Sequence, residues 1–413
     1  MTASFVIPTR NRRSALLRTL DRLRDGAHLP DGSWETWVVD NGSTDGTAEA
    51  LQRLHPHVRL IRHEKNHGPC ARQDAVAAAR GKYLVFLDDD CEPRGRAVAG
   101  CIDRMERNPR TAAVTGRVDL PDGTMEASAY PQVPICCALC VRRDVLQAVG
   151  GFSRGFVRQA EELDLAMRIL DAGYETERFE DLRFLHRKTP GPRSTREILR
   201  LDMRNNLLCL ARYVPAPLRE RLREDWIQRY TALAAACGLH EAAADGLREA
   251  DRISQQPDAD HRRAGPAAVE AVFRLQDQAQ RIGAWARRQG IRRVCIADLG
   301  KNIYATYEAC RAAGLEVTAV GDGQFAFHGL KYRGLPIDDE QTAWAEAQGV
   351  VLSSINPARV QSRLAWIRQR FDGPVLGLWE PRCLAGEPQL ARPPQTRCEP
   401  ASREPSPPDR EVA

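Results

Sequence analysis

The chain has 413 residues, 43% hydrophobic and 28% charged, enough for two or three domains with full apolar cores. A net charge of +5 is too mild at this length to mark a nucleic-acid footprint, and the arginines, which leave only five lysines among the 60 basic residues, are spread evenly along the sequence. No apolar run approaches the roughly 20 residues that span a bilayer, and the N-terminus enters a strand-like segment at once without a signal-peptide pattern, so a cytoplasmic protein is expected.

In chain order, Ser4 to Pro8 is a short apolar strand leading into Thr9, Arg10 and Asn11, and Ser14 to Leu23 carries helical spacing at Leu16, Leu17, Leu20 and Leu23. A second strand, Thr36 to Val39, runs into Asp40 and Asn41, and Asp45 to Leu54 reads as a helix. Val58 to Arg62 is a third strand, followed by a Gly-containing loop and a helix through Ala71 to Ala79. Tyr83 to Leu87 is an unbroken apolar run with the length and β-rich composition of a parallel strand buried on both faces. Alternation of strand and helix argues for an α/β fold, a parallel sheet covered by helices. Ala112 to Val118 and Ile135 to Val141 are further strands on either side of the turn-rich segment Leu120 to Gly123. Cys136, Cys137 and Cys140 lack a clear fourth ligand nearby and read as buried thiols, in a chain whose twelve cysteines lie mostly in apolar segments without an export signal. A helix stops at Gly150 and Gly151, another with acids in its first turn runs from Glu161 to Tyr174, and Tyr174 to Phe179 and Arg183 to His186 follow as short extended pieces.

From Ser194 to about Ala250 the pattern is helical, with Arg-rich faces and an apolar stripe at Trp226, Tyr230 and Leu233 that is expected to pack on its own domain. Asp251 to Pro266 reads as a linker, and Ala267 to Gln289 as one long helix. A second α/β unit follows, with strands at Val294 to Ala297, Glu316 to Val320, Gly349 to Ser353 and Val375 to Leu378, and a helix at Ile303 to Ala313. Its first turn keeps only Gly300, the middle glycine of a G-x-G-x-x-G fingerprint, although Asp322 follows the next strand where a ribose-binding acid would lie. So weak a match favours a Rossmann-like module for packing, oligomer contacts or acceptor binding over dinucleotide binding. The expected division is 1–213, 214–289 (helices and linker), 290–385, and a Pro-rich, charged tail over 386–413 whose composition marks it as disordered.

The acids that follow Leu87 are the most informative stretch. In an extended segment Asp88 and Asp90 share a face at the carboxyl end of a central strand, with Asp89 opposed. That edge is where open α/β sheets bind ligands, and clustered carboxylates there repel one another unless a cation lies between them. Taken alone, the triplet is equally compatible with a solvated turn that Glu92 and Pro93 continue.

Across about Thr2 to Tyr213 the motifs VIPTRNR, VVDNGSTDGT, NHGPCARQDAVAAARGKYLVFLDDD, GGF and EELDLAMR, then His186, Ser194 and Arg204–Asn205–Asn206, resemble the family 2 glycosyltransferases in kind and order. The resemblance implies a GT-A fold, mostly a parallel sheet with helices on both faces, and a metal-dependent, inverting transfer of sugar from a nucleotide-diphosphate donor to a hydroxyl. It also implies a site. Asp40 would contact the nucleobase, walled by Pro8, Thr9, Arg10 and Asn11, and Arg72 would face the diphosphate, although Gln73 stands where the family usually has asparagine. Asp88 would lie near the ribose and Asp90 on Mg²⁺ or Mn²⁺, with Asp89 beside the nucleotide and His186 completing the coordination. Glu162 falls where the family carries its general base, usually an aspartate, so Glu161 and Asp164 stay open as alternatives. Bacterial surface polysaccharide assembly is the implied setting, with a glycan or lipid-linked acceptor that in the latter case needs peripheral membrane contact. A sugar nucleotidyltransferase is the rival enzyme, and would be expected to carry a Gly-rich phosphate loop where this chain has Pro8–Asn11. A non-catalytic nucleotide-sugar-binding or scaffolding protein is the other rival.

Overall fold

The computed structural model describes residues 1–156, 158–188, 194–256, 262–326 and 329–384; the tail expected to be disordered and the middle of the expected linker lie outside them. The first sheet begins with β1 (Ala3–Thr9), α1 (Arg13–Gly26), β2 (Trp34–Asp40), α2 (Thr47–Leu54), β3 (Arg59–Arg62), α3 (Arg72–Ala78) and β4 (Tyr83–Leu87). It continues through β5 (Cys91–Pro93), α4 (Ala97–Arg107), β6 (Thr111–Asp119), β7 (Met125–Glu126), β8 (Ala138–Arg142), α5 (Arg143–Ala148), α6 (Glu161–Asp171) and β9 (Glu175–His186). The order is β3-β2-β1-β4-β8-β6-β9-β5, with β7 paired to β6. The four strands from β3 to β4 are parallel, whereas β8 lies antiparallel to both β4 and β6. The sheet is therefore mixed beyond β4, which strand-helix alternation does not reveal because β6, β7 and β8 follow one another without a helix between them.

Period-two alternation explains why this sheet is covered on both faces. Phe5, Ile7, Val85 and Leu87 pack with Leu16, Leu20 and Leu23 of α1 and Val98 and Met105 of α4. Their neighbours Val6, Leu84 and Phe86 face the other way, onto Ala75 and Val76 of α3 and Leu165 and Ile169 of α6. All five side chains of β4 are buried, each worth on the order of 1.5–3 kcal/mol when apolar and fully covered. The two extended pieces expected around Phe179 and Phe184 form one strand, β9, with a register shift opposite Gly116 and Arg117. A Cβ on Gly116 would stand 1.9 Å from the Leu182 carbonyl oxygen, so only glycine lets the strands approach there.

Helices α7 (Thr195–Tyr213), α8 (Leu218–Cys237), α9 (His240–Ser254), α10 (Pro266–Phe273) and α11 (Leu275–Gln289) form the layer between the two sheets. Trp226, Tyr230 and Leu233 are buried there, as the apolar stripe implies. The expected helix Ala267 to Gln289 is instead two, broken at Arg274 in the left-handed region (φ 53°), where its guanidinium donates to the Leu378 carbonyl at 3.1 Å. A tertiary bond of this kind overrides local helical spacing.

The second sheet uses β10 (Arg293–Ala297), α12 (Ile303–Ala312), β11 (Glu316–Gly321), β12 (Lys331–Tyr332), β13 (Leu335–Asp338), α13 (Glu340–Trp344), β14 (Gly349–Leu352), α14 (Val360–Arg368) and β15 (Val375–Gly377). Its order is β12-β13-β11-β10-β14-β15, parallel from β13 to β15. One apolar core runs from Tyr130, Phe156 and Met167 through Leu199, Trp226 and Phe273 to Ile296 and Val351, joining the helical layer to both units. After β15 the chain returns to the first sheet. The Glu180 N–H donates to the Arg382 carbonyl at 2.8 Å, and Leu384 N–H to the Asp181 carboxylate at 3.0 Å. No helix among the described residues is long and apolar enough to cross a membrane.

Candidate active site

Where β4 ends, Asp88, Asp89 and Asp90 enter a tight turn, closed by the Cys91 N–H donating to the Asp88 carbonyl at 3.1 Å. The segment is not extended there, yet Asp88 and Asp90 still share a side. Each offers an oxygen, and His186 of β9 a ring nitrogen, with all three atoms within 4.8 Å of one another. His186 Nε2 lies 3.1 Å from Asp90 Oδ1 and 3.9 Å from Asp88 Oδ2. Its other nitrogen is 2.8 Å from Glu126 Oε2 on β7, and Lys188 closes the chain at 2.8 Å from Glu126 Oε1. Burial alone would depress the imidazole, but hydrogen bonds with Asp90, Cys137 and Glu126 carry it up to about 12. Burial likewise works against Glu126, and its bond with His186 overcomes it, holding the carboxyl down to about 2. Two carboxylates and the imidazole, once its Nε2 gives up its proton, are a donor set that suits Mn²⁺, or Mg²⁺ with a larger share of water. Asp88 is the least engaged of the three, about one third exposed and 3.8 Å from Arg72.

Asp89 turns the other way. Thr9 Oγ1 donates to it at 2.8 Å and Arg12 Nη1 at 2.7 Å, while Arg12 Nη2 reaches Asp90 Oδ2 at 2.9 Å. Burial raises Asp89 to about 7 against the pull of Arg12 and Thr9. Asp89, expected beside the nucleotide, ties β4 to β1 and α1, and Thr9 with it. Arg12 was missed by the sequence reading, although it lies inside the opening motif. Glu126 was missed too, because a two-residue strand leaves no pattern.

A second group of the expected residues gathers at the carboxyl ends of β1 and β2. Asp40 is fully buried; Oδ1 accepts the Ser43 N–H at 2.9 Å, and Oδ2 is buried without a partner. Asn11 holds the facing loop, its N–H donating to Ser43 Oγ at 2.9 Å and its Oδ1 accepting the Thr44 N–H at 2.7 Å. Pro8 is half-buried beside Val39, and Arg10 is exposed just beyond β1. Arg72 is buried over the Phe152 ring, with Nε donating to the Pro69 carbonyl at 2.8 Å and Nη1 left without a partner. Burial would lower its basicity, but Cys136, Asp88, Glu161 and Glu162 around it raise it further. Gln73, the departure from the family pattern, accepts the Phe152 N–H at 2.7 Å and so holds the paired-glycine turn rather than a ligand.

Helix α6 carries the remaining acids. Glu162 Oε1 accepts the Cys136 N–H at 3.3 Å, and the side chain lines a cavity of about 740 Å³ between the two units. Burial first, and Glu161 second, push Glu162 up to about 8. Glu161 is buried on the Arg72 side, and burial raises it as well. Asp164 is wholly buried, and its oxygens are taken: Arg168 donates at 2.6 Å, Arg212 at 2.8 Å and Tyr213 at 2.7 Å. These bonds fasten α6 to α7.

Residues 4–146 match the model described as glycosyl transferase family 2. Glycosyltransferase AglE of Haloferax volcanii is 27% identical over 199 residues, spanning 41% of this chain and 62% of that protein. The N-acetylglucosaminyl-diphospho-decaprenol L-rhamnosyltransferase of Mycobacterium tuberculosis is 24% identical over 201 residues, spanning 37% and 66%. The chain thus spans less than two thirds of the length of these relatives. Among solved structures, mannosyltransferase PcManGT of Pyrobaculum calidifontis, in complex with GDP-Man and Mn²⁺, aligns at a TM-score of 0.44 with 20% identity, over 75% of this chain and 85% of its own. The family model falls on the unit that carries Asp40, Arg72 and the acid turn.

Proposed function

We propose that the protein moves a sugar from a nucleotide-diphosphate donor to a hydroxyl of a glycan or lipid-linked acceptor, with inversion at the anomeric carbon, in surface glycan biosynthesis. The observation that carries this reading is the convergence of Asp88, Asp90 and His186 at the end of β4, beside the buried Arg72 cation. Asp40 Oδ2, buried and unpartnered, would accept an N–H from the base, and an unmet buried acceptor is costly enough to select for such a partner. Asp88, Asp90 and His186 would hold Mg²⁺ or Mn²⁺, which supplies Lewis-acid neutralisation of the diphosphate oxygens when bound. Arg72 would add a fixed charge on the same group. Glu162 would take the acceptor hydroxyl proton as that oxygen bonds to the anomeric carbon, and the old bond's electron pair leaves with the nucleoside diphosphate. The relative named for a decaprenol-linked sugar supports a lipid-linked acceptor as one form.

Thermal unfolding of the full chain with a panel of UDP-, GDP- and dTDP-sugars, with and without Mn²⁺, tests the donor site. Nucleotides of one base should raise the midpoint, and at a hundredfold excess over Kd the added stability is about 2.7 kcal/mol. Asp40→Asn keeps an oxygen for the Ser43 N–H but can place an amide donor where Oδ2 lies, and should abolish the shift. A shift that Asp40→Asn leaves intact would overturn the assignment of Asp40, and no shift with any nucleotide sugar would overturn the donor class.

A further inference from the structure

The cavity that Glu162 lines has a second wall made by the other α/β unit. The loops that leave the carboxyl ends of β10, β11 and β14 open into it at Asp298, Asp322 and Asn356. In the order β13-β11-β10-β14-β15 the chain reverses direction across the sheet between β10 and β14, and ligands of open α/β sheets bind outside the strand ends at that point. The crevice is held together from below. Ser353 Oγ donates to the Asp298 carbonyl at 2.6 Å, and Asn302 Nδ2 to the Ser353 carbonyl at 3.0 Å.

A diphosphate is poorly suited to this crevice. In a dinucleotide site the N–H groups of the first turn are free to meet pyrophosphate, but here the Leu299 N–H donates to Asp322 Oδ2 at 2.7 Å. Asp298 adds a second carboxylate at the turn, 2.8 Å from Arg363, which also pairs with Glu340 at 2.6 Å. Arg363 is thereby spent within the protein, and two carboxylates stand where an anion would enter. Besides the exposed Arg359, the wall offers the Ser354, Asn356 and Ser362 side chains, while the Trp366 ring is covered by the Arg363 and Arg370 guanidinium groups, 4.6 and 4.4 Å from its centroid. Hydroxyl and amide groups that both donate and accept, beside the Asp298 and Asp322 carboxylates, match a polyhydroxylated ring rather than a phosphate.

We propose that this crevice is the acceptor subsite, holding an uncharged saccharide so that one hydroxyl reaches across the cavity toward Glu162. The inference rests on the glycosyl-transfer reading and deepens it: the second α/β unit supplies half of the acceptor pocket.

Saturation-transfer NMR on the full chain, with methyl α-D-glucopyranoside, methyl α-D-mannopyranoside and N-acetylglucosamine as probes and NADH as the competing class, decides the matter. At least one glycoside should show saturation that persists when UDP, GDP and Mg²⁺ are in excess, and NADH should show none. Ser354→Trp, which fills the crevice, and the smaller change Asn356→Ala should each lose that signal while unfolding at the wild-type temperature. Saturation unaffected by both variants, saturation abolished by the nucleotides, saturation of NADH alone, or no saturation by any probe would each overturn the proposal. The nucleotide-sugar shift of the wild-type chain reads the donor site separately, so its failure would sink the transferase reading and not be confused with an empty crevice.

Discussion

Glu162→Gln is expected to lower sugar transfer by ~10²–10⁴-fold, the usual contribution of a positioned general base. Glutamine keeps the shape and can still accept the Cys136 N–H, but it cannot take a proton from the acceptor. Burial and the neighbouring Glu161 hold the Glu162 carboxyl up to about 8, so below that pH most molecules carry it protonated and unable to act. Wild-type kcat should therefore climb with pH through about 8, and the variant's residual rate should lack that limb. The sign for stability runs the other way. A carboxyl whose folded value is raised contributes stability that is full below its unfolded value of 4.5 and is lost as pH rises through about 8. Glu162→Gln should accordingly match wild type in chemical denaturation at pH 5 and exceed it at pH 9. Wild-type rates in the variant would remove Glu162 from the base role and return Glu161 to consideration.

Asp164→Asn is expected to have the opposite profile, a loss of about 3–5 kcal/mol in unfolding free energy, as when one member of a buried ion pair is removed. Asp164 is wholly buried, and its charge is shared by Arg168, itself only 8% exposed at its side chain, and Arg212. The amide cannot balance both guanidinium groups, and its N–H2 meets donors where the second oxygen had accepted. The midpoint in urea should fall with little change in slope, because the surface exposed on unfolding stays the same. Activity of the molecules still folded should fall much less than in Glu162→Gln. A full-strength midpoint with abolished transfer would restore Asp164 as a catalytic group.

The contrast between these two acids, two residues apart on one helix, shows where sequence reasoning runs out. The acids of α6 were legible as a group, since acids favour the first turn of a helix and the motif marks a functional one. Which of them meets the cavity depends on Arg212 and Tyr213 of α7, far along the chain, and no local pattern reports that. The apolar run of β4 was legible to the residue, because a doubly covered parallel strand must be apolar throughout. Its acids were legible as a cluster, whereas the roles of Arg12 and Glu126 were not: one enters through the cap of α1, the other through a two-residue strand. Likewise Asp322 was legible as an acid at a strand end, but its bond to the Leu299 N–H, which turns the crevice away from phosphate, exists only in three dimensions.

The central claim is that the acid turn after β4 holds a divalent ion for the donor's diphosphate. Titration of Mn²⁺ into the full chain, followed by electron paramagnetic resonance with and without UDP and GDP, tests it most directly. The account predicts binding tightened by one of the two nucleotides and weakened at least about tenfold by Asp90→Asn, since loss of groups that merely support metal ligands typically costs 10–100-fold. Mn²⁺ affinity that is the same in the wild type and in Asp90→Asn, with either nucleotide present, would contradict it.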